Sequence, residues 1–437
     1  MPKIFIIDEL PPQDNAMLQA LYSRSPESVT KHLEKVQATG SGKFMSEYYI
    51  GYGHQSIADC GSTTIFIEGI STLADKLIQD WPLYSGQETS TRYVDMAKQP
   101  IIDPLGTPAS KAILDAWMEF YMAAQAPLQE HVKRQHPLED GQNEAVYNKA
   151  IKARSFDILR AWLPAGITTQ LSWHTNLRQA YDHLAWLMHH PLQEARITAQ
   201  QILSQLQTKY PESFSQVETA HQIVYRQLAM EKVGYYDPCD APGFTCDIQI
   251  NMDRLAEFQE IIDARSPMTN LPVIMGELGT VCFNFMLDFG SFRDIQRHRN
   301  GTCRIPLLTD RYDFNPWYLF ELPDDLCLQG LALIEKQQQA ISLLNASPVN
   351  KQYYLPLGYR VPCTINYGLP AMVYTIELRS SKTVHPTLRH VIHQMFSSLH
   401  FYLPNLKMYV DLSPNTWDIK RGTHDITQRQ QPPQSLL

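Results

Sequence analysis

The sequence predicts a helix-rich α+β protein that carries two tandem copies of one unit. One motif set occurs twice, several segments place apolar residues at helical spacing, and the apolar runs suited to strands are short and few. The copies repeat at a period of about 200 residues, which is too long for a solenoid and typical of a domain duplication. We expect the two copies to pack together as a pseudo-dimer.

The composition agrees with a large enzyme of two or three domains. A chain of 437 residues can bury sizeable cores, and it has no apolar run long enough to cross a membrane. The first ten residues lack a cleavable signal pattern, and an odd number of cysteines, seven, suits reduced thiols in a cytosol. The net charge of −8 argues against a nucleic-acid partner, whose phosphates call for a basic surface. An anionic small ligand could still bind at a local arginine cluster.

The elements follow in chain order. A short apolar run at Ile4–Ile7 predicts a strand that ends at the Pro11-Pro12 pair. Asp14 predicts the start of a helix that reaches about Tyr22. Apolar residues at helical spacing predict further helices over residues 64–77, 109–132, 143–162, 184–206 and 283–293.

Four regions are predicted along the chain. Residues 1–234 form copy one, and residues 262–420 form copy two. The Pro- and Gly-rich stretch that begins at Tyr235 predicts a linker over residues 235–261. The polar, Gln-rich residues 421–437 predict a disordered tail.

Short matching segments define the two copies. Arg24-Ser25-Pro26 corresponds to Arg265-Ser266-Pro267, and Leu163-Pro164 corresponds to Leu355-Pro356. From Arg24 to Arg92 is 92 − 24 = 68 residues, whereas Arg265 to Arg311 is 311 − 265 = 46 residues. The first copy is therefore longer by 68 − 46 = 22 residues.

Each copy keeps a motif that the other has lost. Copy one has Ser90-Thr91-Arg92-Tyr93, but Asp80-Trp81-Pro82 precedes it where copy two has Arg297-His298-Arg299. Copy two follows that triplet with Thr309-Asp310-Arg311-Tyr312. An arginine fork matches phosphate oxygens, so a tight turn with Ser90, Thr91 and Arg92 is suited to a phosphate group.

This motif set resembles the flavin-dependent thymidylate synthases. Their signature is Arg-His-Arg, seven residues, Ser and then x-Arg-Tyr, and seven residues separate Pro82 from Ser90 here. Copy two instead places nine residues between Arg299 and Thr309, and Pro370 stands where the arginine of Asn-x-Arg belongs. The other matching segments of copy one are Gly53-His54-Gln55-Ser56, Phe66-Ile67-Glu68-Gly69-Ile70-Ser71, Gln87-Glu88, Arg160, Leu163-Pro164, Trp173 and Asn176-Leu177-Arg178.

The resemblance implies an enzyme that methylates a pyrimidine nucleotide, most simply dUMP to dTMP, in the cytoplasm. The cofactor would be FAD, with NADPH as reductant and methylenetetrahydrofolate as carbon donor, and no metal. In that family the flavin delivers hydride and relays the one-carbon unit, so Ser90 is a binding residue. A family tetramer would correspond to a homodimer of this chain.

The resemblance also implies roles for individual residues. The implied catalytic residues are Arg178, His298 and Arg299. The implied flavin-binding residues are His54, Ser56, Glu88, Arg297, His298 and Arg299, the triplet supplying cationic donors. The implied nucleotide-binding residues are Gln87, Glu88, Ser90, Thr91, Arg92 and Arg178.

Structural roles compete with these functional ones. Arg92 and Arg178 could be salt-bridged core arginines, and His54 could be a structural histidine. Cys239 and Cys246 have no second pair, which argues against zinc. The alternative to an enzyme is a non-catalytic flavin- or nucleotide-binding protein, or a scaffold.

The complementary losses favour one working site for each chain. In the family, the Arg-His-Arg of one subunit meets the Ser-x-Arg turn of another, so a fused duplicate needs one good version of each half. We therefore expect Arg297–Arg299 to lie near Ser90 and Arg92. The pairing of Asp80–Pro82 with Thr309 and Arg311 should form a dead site, because Asp80 is anionic and Pro82 lacks an N–H.

Overall fold

The protein is an α+β structure, as the sequence predicts, and it contains two antiparallel sheets. A computed structural model describes Ile7, residues 9–51 and residues 55–414. In this described part, no helix is long and apolar enough to cross a membrane. His54, the predicted tail and all of the predicted strand Ile4–Ile7 except Ile7 lie outside the described residues.

The helices and strands are numbered in chain order. The α-helices are α1 (Pro12–Tyr22), α2 (Val29–Thr39), α3 (Gly42–Phe44), α4 (Ser56–Asp59), α5 (Thr72–Gln79), α6 (Pro108–Gln135), α7 (Glu144–Leu159), α8 (Leu177–Leu187), α9 (Gln193–Lys209), α10 (Ala220–Val233), α11 (Met252–Ala256), α12 (Gln259–Ala264), α13 (Phe289–Ile295), α14 (Pro316–Phe320), α15 (Asp324–Ser342), α16 (Pro348–Lys351), α17 (Leu369–Arg379) and α18 (Pro386–Tyr402). The strands are β1 (Ser62–Ser71), β2 (Ser85–Glu88), β3 (Thr168–Asn176), β4 (Thr245–Ile250), β5 (Gly279–Asp288), β6 (Gly301–Cys303) and β7 (Arg360–Gly368). Single turns of 3₁₀-helix lie at Met96–Lys98, Arg160–Trp162, Pro211–Ser213 and Gln352–Tyr354, a longer one lies at Val273–Leu278, and a π-helix lies at Met45–Gly51.

The chain forms two compact units. Unit 1 comprises Met1–Thr89 and Thr168–Tyr236 and contains the sheet β1-β3-β2. Unit 2 comprises Ser90–Ile167 and Asp237–Leu437 and contains the sheet β4-β5-β7-β6. The units therefore differ from the sequence copies, because residues 90–167 of copy one belong to the unit that contains copy two.

The order of elements supports the duplication. A strand followed by a short helix occurs as β1–α5 and as β5–α13, with 288 − 71 = 217 residues between equivalent strand ends. A strand of nine residues followed by a helix of eleven occurs as β3–α8 and as β7–α17, with 360 − 168 = 192 residues between their starts. By these spacings, Trp81 is the equivalent of His298, and Leu187 is the equivalent of Arg379.

The two Leu-Pro segments pair with each other inside unit 2. Pro164 forms an antiparallel bridge with Pro356, the Ala165 amide donates to the Leu355 carbonyl at 2.8 Å, and the Leu357 amide donates to the Leu163 carbonyl at 2.9 Å. Equivalent residues of the two copies thus contact each other reciprocally.

Two predicted helices are wrong over their first halves. Residues 64–71 and 283–288 are strand, and the helices begin only at Thr72 and Phe289. In β5, Val281, Phe283 and Phe285 are buried at a period of two, which is typical of a strand. In β1, β-branched residues favour the strand, and Gly69, at φ +74°, allows the bulge that shifts its register against β3.

The other helix predictions are closer to the structure. The predicted helix at residues 109–132 is α6, and that at residues 143–162 is α7 with the 3₁₀ turn after it. Residues 184–206 divide between α8 and α9, with Pro191 in the break. Residues 235–261, predicted as a linker, contain β4 and α11, because the alternating Cys246, Ile248 and Ile250 add a strand to the edge of β5.

Candidate functional site

The turn that follows β2 presents Ser90, Thr91 and Arg92, as the sequence predicts. The amides of Tyr93 and Val94 donate to the Ser90 carbonyl at 3.3 and 3.1 Å, and the Arg92 amide donates to Ser90 Oγ at 3.3 Å. Ser90 is exposed, whereas Thr91 is buried. The turn therefore offers an accessible hydroxyl next to a guanidinium.

The guanidinium of Arg92 is held by a buried carboxylate. Its Nε lies 2.9 and 3.0 Å from the two carboxylate oxygens of Asp157, which is on α7. Burial opposes the positive charge, but Asp157 raises the pKa of Arg92 above its ordinary value. The Arg92 side chain keeps 20% of its surface exposed, so a ligand can still reach it.

Helix α13 ends at the Arg-His-Arg triplet. Asp288, at the end of β5, caps the helix by accepting from the Ser291 amide at 2.8 Å. The His298 amide donates to the Ile295 carbonyl at 3.1 Å just beyond the helix end. Arg297 points outward with 47% of its side chain exposed, and Arg299 donates to the Arg297 carbonyl at 3.2 Å.

Burial and a hydrogen bond favour the neutral form of His298 over the cationic form that the sequence predicts. Burial, followed by the charge of Arg379, lowers the pKa of His298 to about 3. Its Nε2 accepts a hydrogen bond from Arg379 Nε at 2.8 Å, and its carbonyl accepts from the Tyr367 hydroxyl at 3.0 Å. Within the triplet, only Arg297 and Arg299 can contribute positive charge.

Asp294 links the arginines of the two copies. Burial opposes its ionisation, but the charges of Arg379, Arg297, Arg160 and Arg92 hold the pKa of Asp294 below its ordinary value. Arg92 and Arg160 come from copy one, whereas Arg297 and Arg379 come from copy two. All belong to unit 2.

Arg160 anchors copy one to the start of α13. It is buried, its Nη2 donates to Ser291 Oγ at 2.7 Å, and it lies 3.8 Å from an oxygen of Asp288. Tyr318 donates from its hydroxyl to the same Asp288 oxygen at 2.7 Å. A Cβ on Gly290 would lie 3.3 Å from Arg160 Nε, so glycine leaves room for this approach.

Sequence reasoning named Arg160 in the motif but assigned it no role, and it missed Asp157, Asp294 and Arg379. Asp294 precedes Arg297 by three residues, a helical spacing that pairs opposite charges. Asp157 precedes Arg160 by three residues in the same way. Arg379 gives no local signal, because its partner lies 81 residues away in sequence.

Unit 1 contains the other predicted residues. Arg178 forms an ion pair with Asp59, with Nε 2.7 Å from Oδ1. Glu88 is buried against Lys76, whose Nζ lies 2.6 Å from Oε2. Gln87 is exposed on β2, and Ser56 is exposed at the start of α4. In unit 1 the Glu88 carboxylate thus has a lysine partner of its own.

The Asp80-Trp81-Pro82 segment has a structural role in unit 1. Trp81 donates from its ring N–H to Gln179 Oε1 at 2.8 Å, and its ring stacks on His183 at 4.7 Å between centroids. Arg311, predicted to face this segment in the dead site, belongs to unit 2 and forms an ion pair with Asp237 there. A tryptophan packed in this way occupies the position that His298 takes in copy two.

Comparisons with known proteins support the resemblance of copy one. Residues 6–212 match the family model described as thymidylate synthase complementing protein. This segment ends in the 3₁₀ turn that follows α9, so it contains both the Ser-x-Arg turn and the first Leu-Pro segment.

Relatives align over most of the chain. A UPF0159 protein of Chlamydia muridarum is 24% identical over 93% of this chain and 91% of its own length. A UPF0159 protein of Thermoplasma acidophilum is 22% identical over 90% of this chain and 94% of its own. A UPF0159 protein of Chlamydia pneumoniae is 23% identical over 87% of this chain and 82% of its own. The chain is thus similar to proteins of about its own length.

Proposed function

We propose that this chain transfers a one-carbon unit to a pyrimidine nucleotide, because residues 6–212 match the family model described as thymidylate synthase complementing protein. The simplest reaction is methylation of dUMP to dTMP with FAD as cofactor. Methylenetetrahydrofolate is the proposed carbon donor, and NADPH is the proposed reductant.

The observation that carries this proposal is that arginines from both copies lie near Asp294. Arg92 represents the nucleotide turn of copy one, and Arg297 represents the triplet of copy two. Asp294 lies 3.9 Å from Arg297 and within electrostatic range of Arg92, which supports one site made from both halves. A chance remnant of an inactive ancestor gives no reason for the complementary motifs to meet.

The nucleotide end of the proposed site is the Ser90 turn. Ser90 offers an accessible hydroxyl, and Arg92 offers a charged donor to a phosphate. Asp157 holds Arg92 before the ligand arrives, so less side-chain freedom is lost on binding. The roles of Arg178, Gln87 and Glu88 in nucleotide binding stay predictions of the family resemblance.

The triplet of copy two is suited to a flavin. Arg297 exposes a guanidinium to a phosphate or to an anionic ring, and neutral His298 offers a single ring N–H donor. Bound FAD would supply the hydride and take up the one-carbon unit. Arg297, His298 and Arg299 would hold its pyrimidine end and its phosphates, and Ser56 and His54 remain proposed contacts to it.

Anaerobic turnover tests the proposal. Purified protein with dUMP, reduced FAD and methylenetetrahydrofolate is expected to form dTMP, detected by chromatography. Arg299→Ala should reduce dTMP formation strongly, whereas Arg311→Ala should leave it near the unaltered level. Protein that binds FAD and dUMP but forms no dTMP would instead support a non-catalytic binding protein, and protein that takes up no FAD would contradict both functions.

A further inference from the structure

The contact between Arg379 and His298 defines which ring nitrogen carries the proton. Arg379 ends α17, and its Nε lies 2.8 Å from His298 Nε2. A guanidinium has only N–H donors, so Nε2 must accept this hydrogen bond with its lone pair. The proton of the neutral ring is therefore on Nδ1.

The groups around His298 favour this uncharged form. Arg379 and Tyr374 approach from α17, the latter with its ring edge-on at 6.0 Å between centroids. Tyr367 approaches from β7 and binds the His298 carbonyl. Its own segment adds Asp294, Arg297 and Arg299, so cations outnumber the one carboxylate near the ring.

We propose that Arg379 is a positioning residue that fixes the Nδ1–H form of His298 and holds this donor beside Arg297. The proposed function supplies the ligand, a flavin, but the tautomer follows from the contact alone. Arg379 also interacts with Asp294, the carboxylate near Arg92. Arg379 thus orients His298 and also balances the negative charge of Asp294.

The first copy shows what the position contains when no histidine needs to be held. The equivalent of His298 is Trp81, which stacks on His183 and bonds to Gln179. The equivalent of Arg379 is Leu187, a buried apolar residue. Arginine therefore occurs at this helix position in the copy whose ring nitrogen can accept its hydrogen bond, and leucine occurs in the copy whose ring nitrogen is only a donor.

Nitrogen NMR of histidine-labelled protein tests the tautomer. The His298 signals are assigned by their loss in His298→Asn. In the unaltered chain, we expect the Nδ1–H form with no titration between pH 5 and pH 8, because burial and Arg379 lower the pKa to about 3. The Nε2–H form, or a charged ring at neutral pH, would overturn the proposal even if no variant folded.

Two substitutions separate the hydrogen bond from the charge. Arg379→Leu introduces the residue that copy one has at this position, Leu187. It should give a mixture of tautomers and an upward shift of the His298 pKa. Arg379→Gln keeps a donor without the charge and should restore the Nδ1–H form. Arg360→Leu, which removes an ion pair with Asp313 elsewhere in unit 2, is the control and should leave the ring unchanged.

FAD affinity distinguishes this inference from the proposed function. Arg379→Leu should weaken FAD binding by about tenfold, the effect of one hydrogen bond to a fixed donor, and Arg379→Gln should recover most of it. An unaltered tautomer in Arg379→Leu would overturn the positioning role. An Nδ1–H ring in a protein that never binds FAD would support the tautomer assignment and contradict the flavin-dependent function.

Discussion

At the scale of single residues, the candidate arginines are paired with carboxylates before any ligand binds. Arg92 is paired with Asp157, and Arg178 is paired with Asp59. The sequence left open whether these arginines are salt-bridged or bind a ligand. The pairs are present, yet 20% of the Arg92 side chain and 32% of the Arg178 side chain stay exposed, so the two roles are compatible.

Nucleotide binding should depend on both arginines. Arg92→Ala or Arg178→Ala is expected to weaken dUMP binding by about 2–4 kcal/mol, because each removes one partner of a charged contact to the phosphate. Isothermal titration with dUMP measures this loss, and flavin content should change little. Arg311→Ala, whose guanidinium is paired with Asp237, is the matched control. Unaltered dUMP affinity in both variants would remove the proposed nucleotide site.

At the scale of elements, the sequence predicted the long helices better than the strands. Helix α6 has many turns of apolar spacing, and both α6 and α7 are long and begin at a polar cap. The boundary at Ser71 was missed because Ile67 and Ile70 on β1 happen to continue the apolar spacing of α5. The sequence predicts a helix through Phe283 and Phe285, but these residues alternate with a period of two, which is the period of a strand.

The start of α13 should be a sensitive point for stability. Asp288 caps the helix and accepts hydrogen bonds from Tyr318 and Asn315, so Asp288→Ala leaves buried donors unpaired. We expect a loss of about 2–4 kcal/mol in the free energy of unfolding, measured by urea denaturation.

An exposed cap in the same unit provides the comparison. Asn143 caps α7 by accepting from the Val146 amide and has no buried partner. Asn143→Ala should cost only about 1 kcal/mol. Equal losses in Asp288→Ala and Asn143→Ala would show that the contacts of Asp288 beyond the cap contribute nothing.

At the scale of the whole molecule, the compact units follow neither copy. Residues 90–167 carry Ser90, Arg92 and Arg160 into the unit that holds Arg297–Arg299. From the motifs alone, the sequence predicts that these complementary segments form one site, and this stays a prediction. The sequence could not predict that residues 90–167 belong to unit 2. The contacts responsible, such as that of Pro164 with Pro356, join residues far apart in the chain.

The oligomeric state and the flavin content test whether each copy contributes one part of a single site. If the copies act as two subunits, this chain should form a homodimer that matches a family tetramer, and it should bind one FAD rather than two. Light scattering gives the mass, and absorbance against protein concentration gives the stoichiometry. A stable monomer that still binds FAD would refute the predicted assembly, and two flavins per chain would refute the dead site.

The exchange of residues 90–167 also has a consequence during synthesis on the ribosome. Trp117, fully buried in the finished protein, donates its ring N–H to the carbonyl of Tyr354, which is translated 237 residues later. Domains generally fold as they emerge, N-terminal part first. Here the apolar faces of α6 and α7 emerge long before their partner, while the two flanking pieces of unit 1 can already join. The apolar faces of α6 and α7 therefore stay exposed on the nascent chain until their partner residues are synthesised. We expect chaperone binding to matter most at this stage.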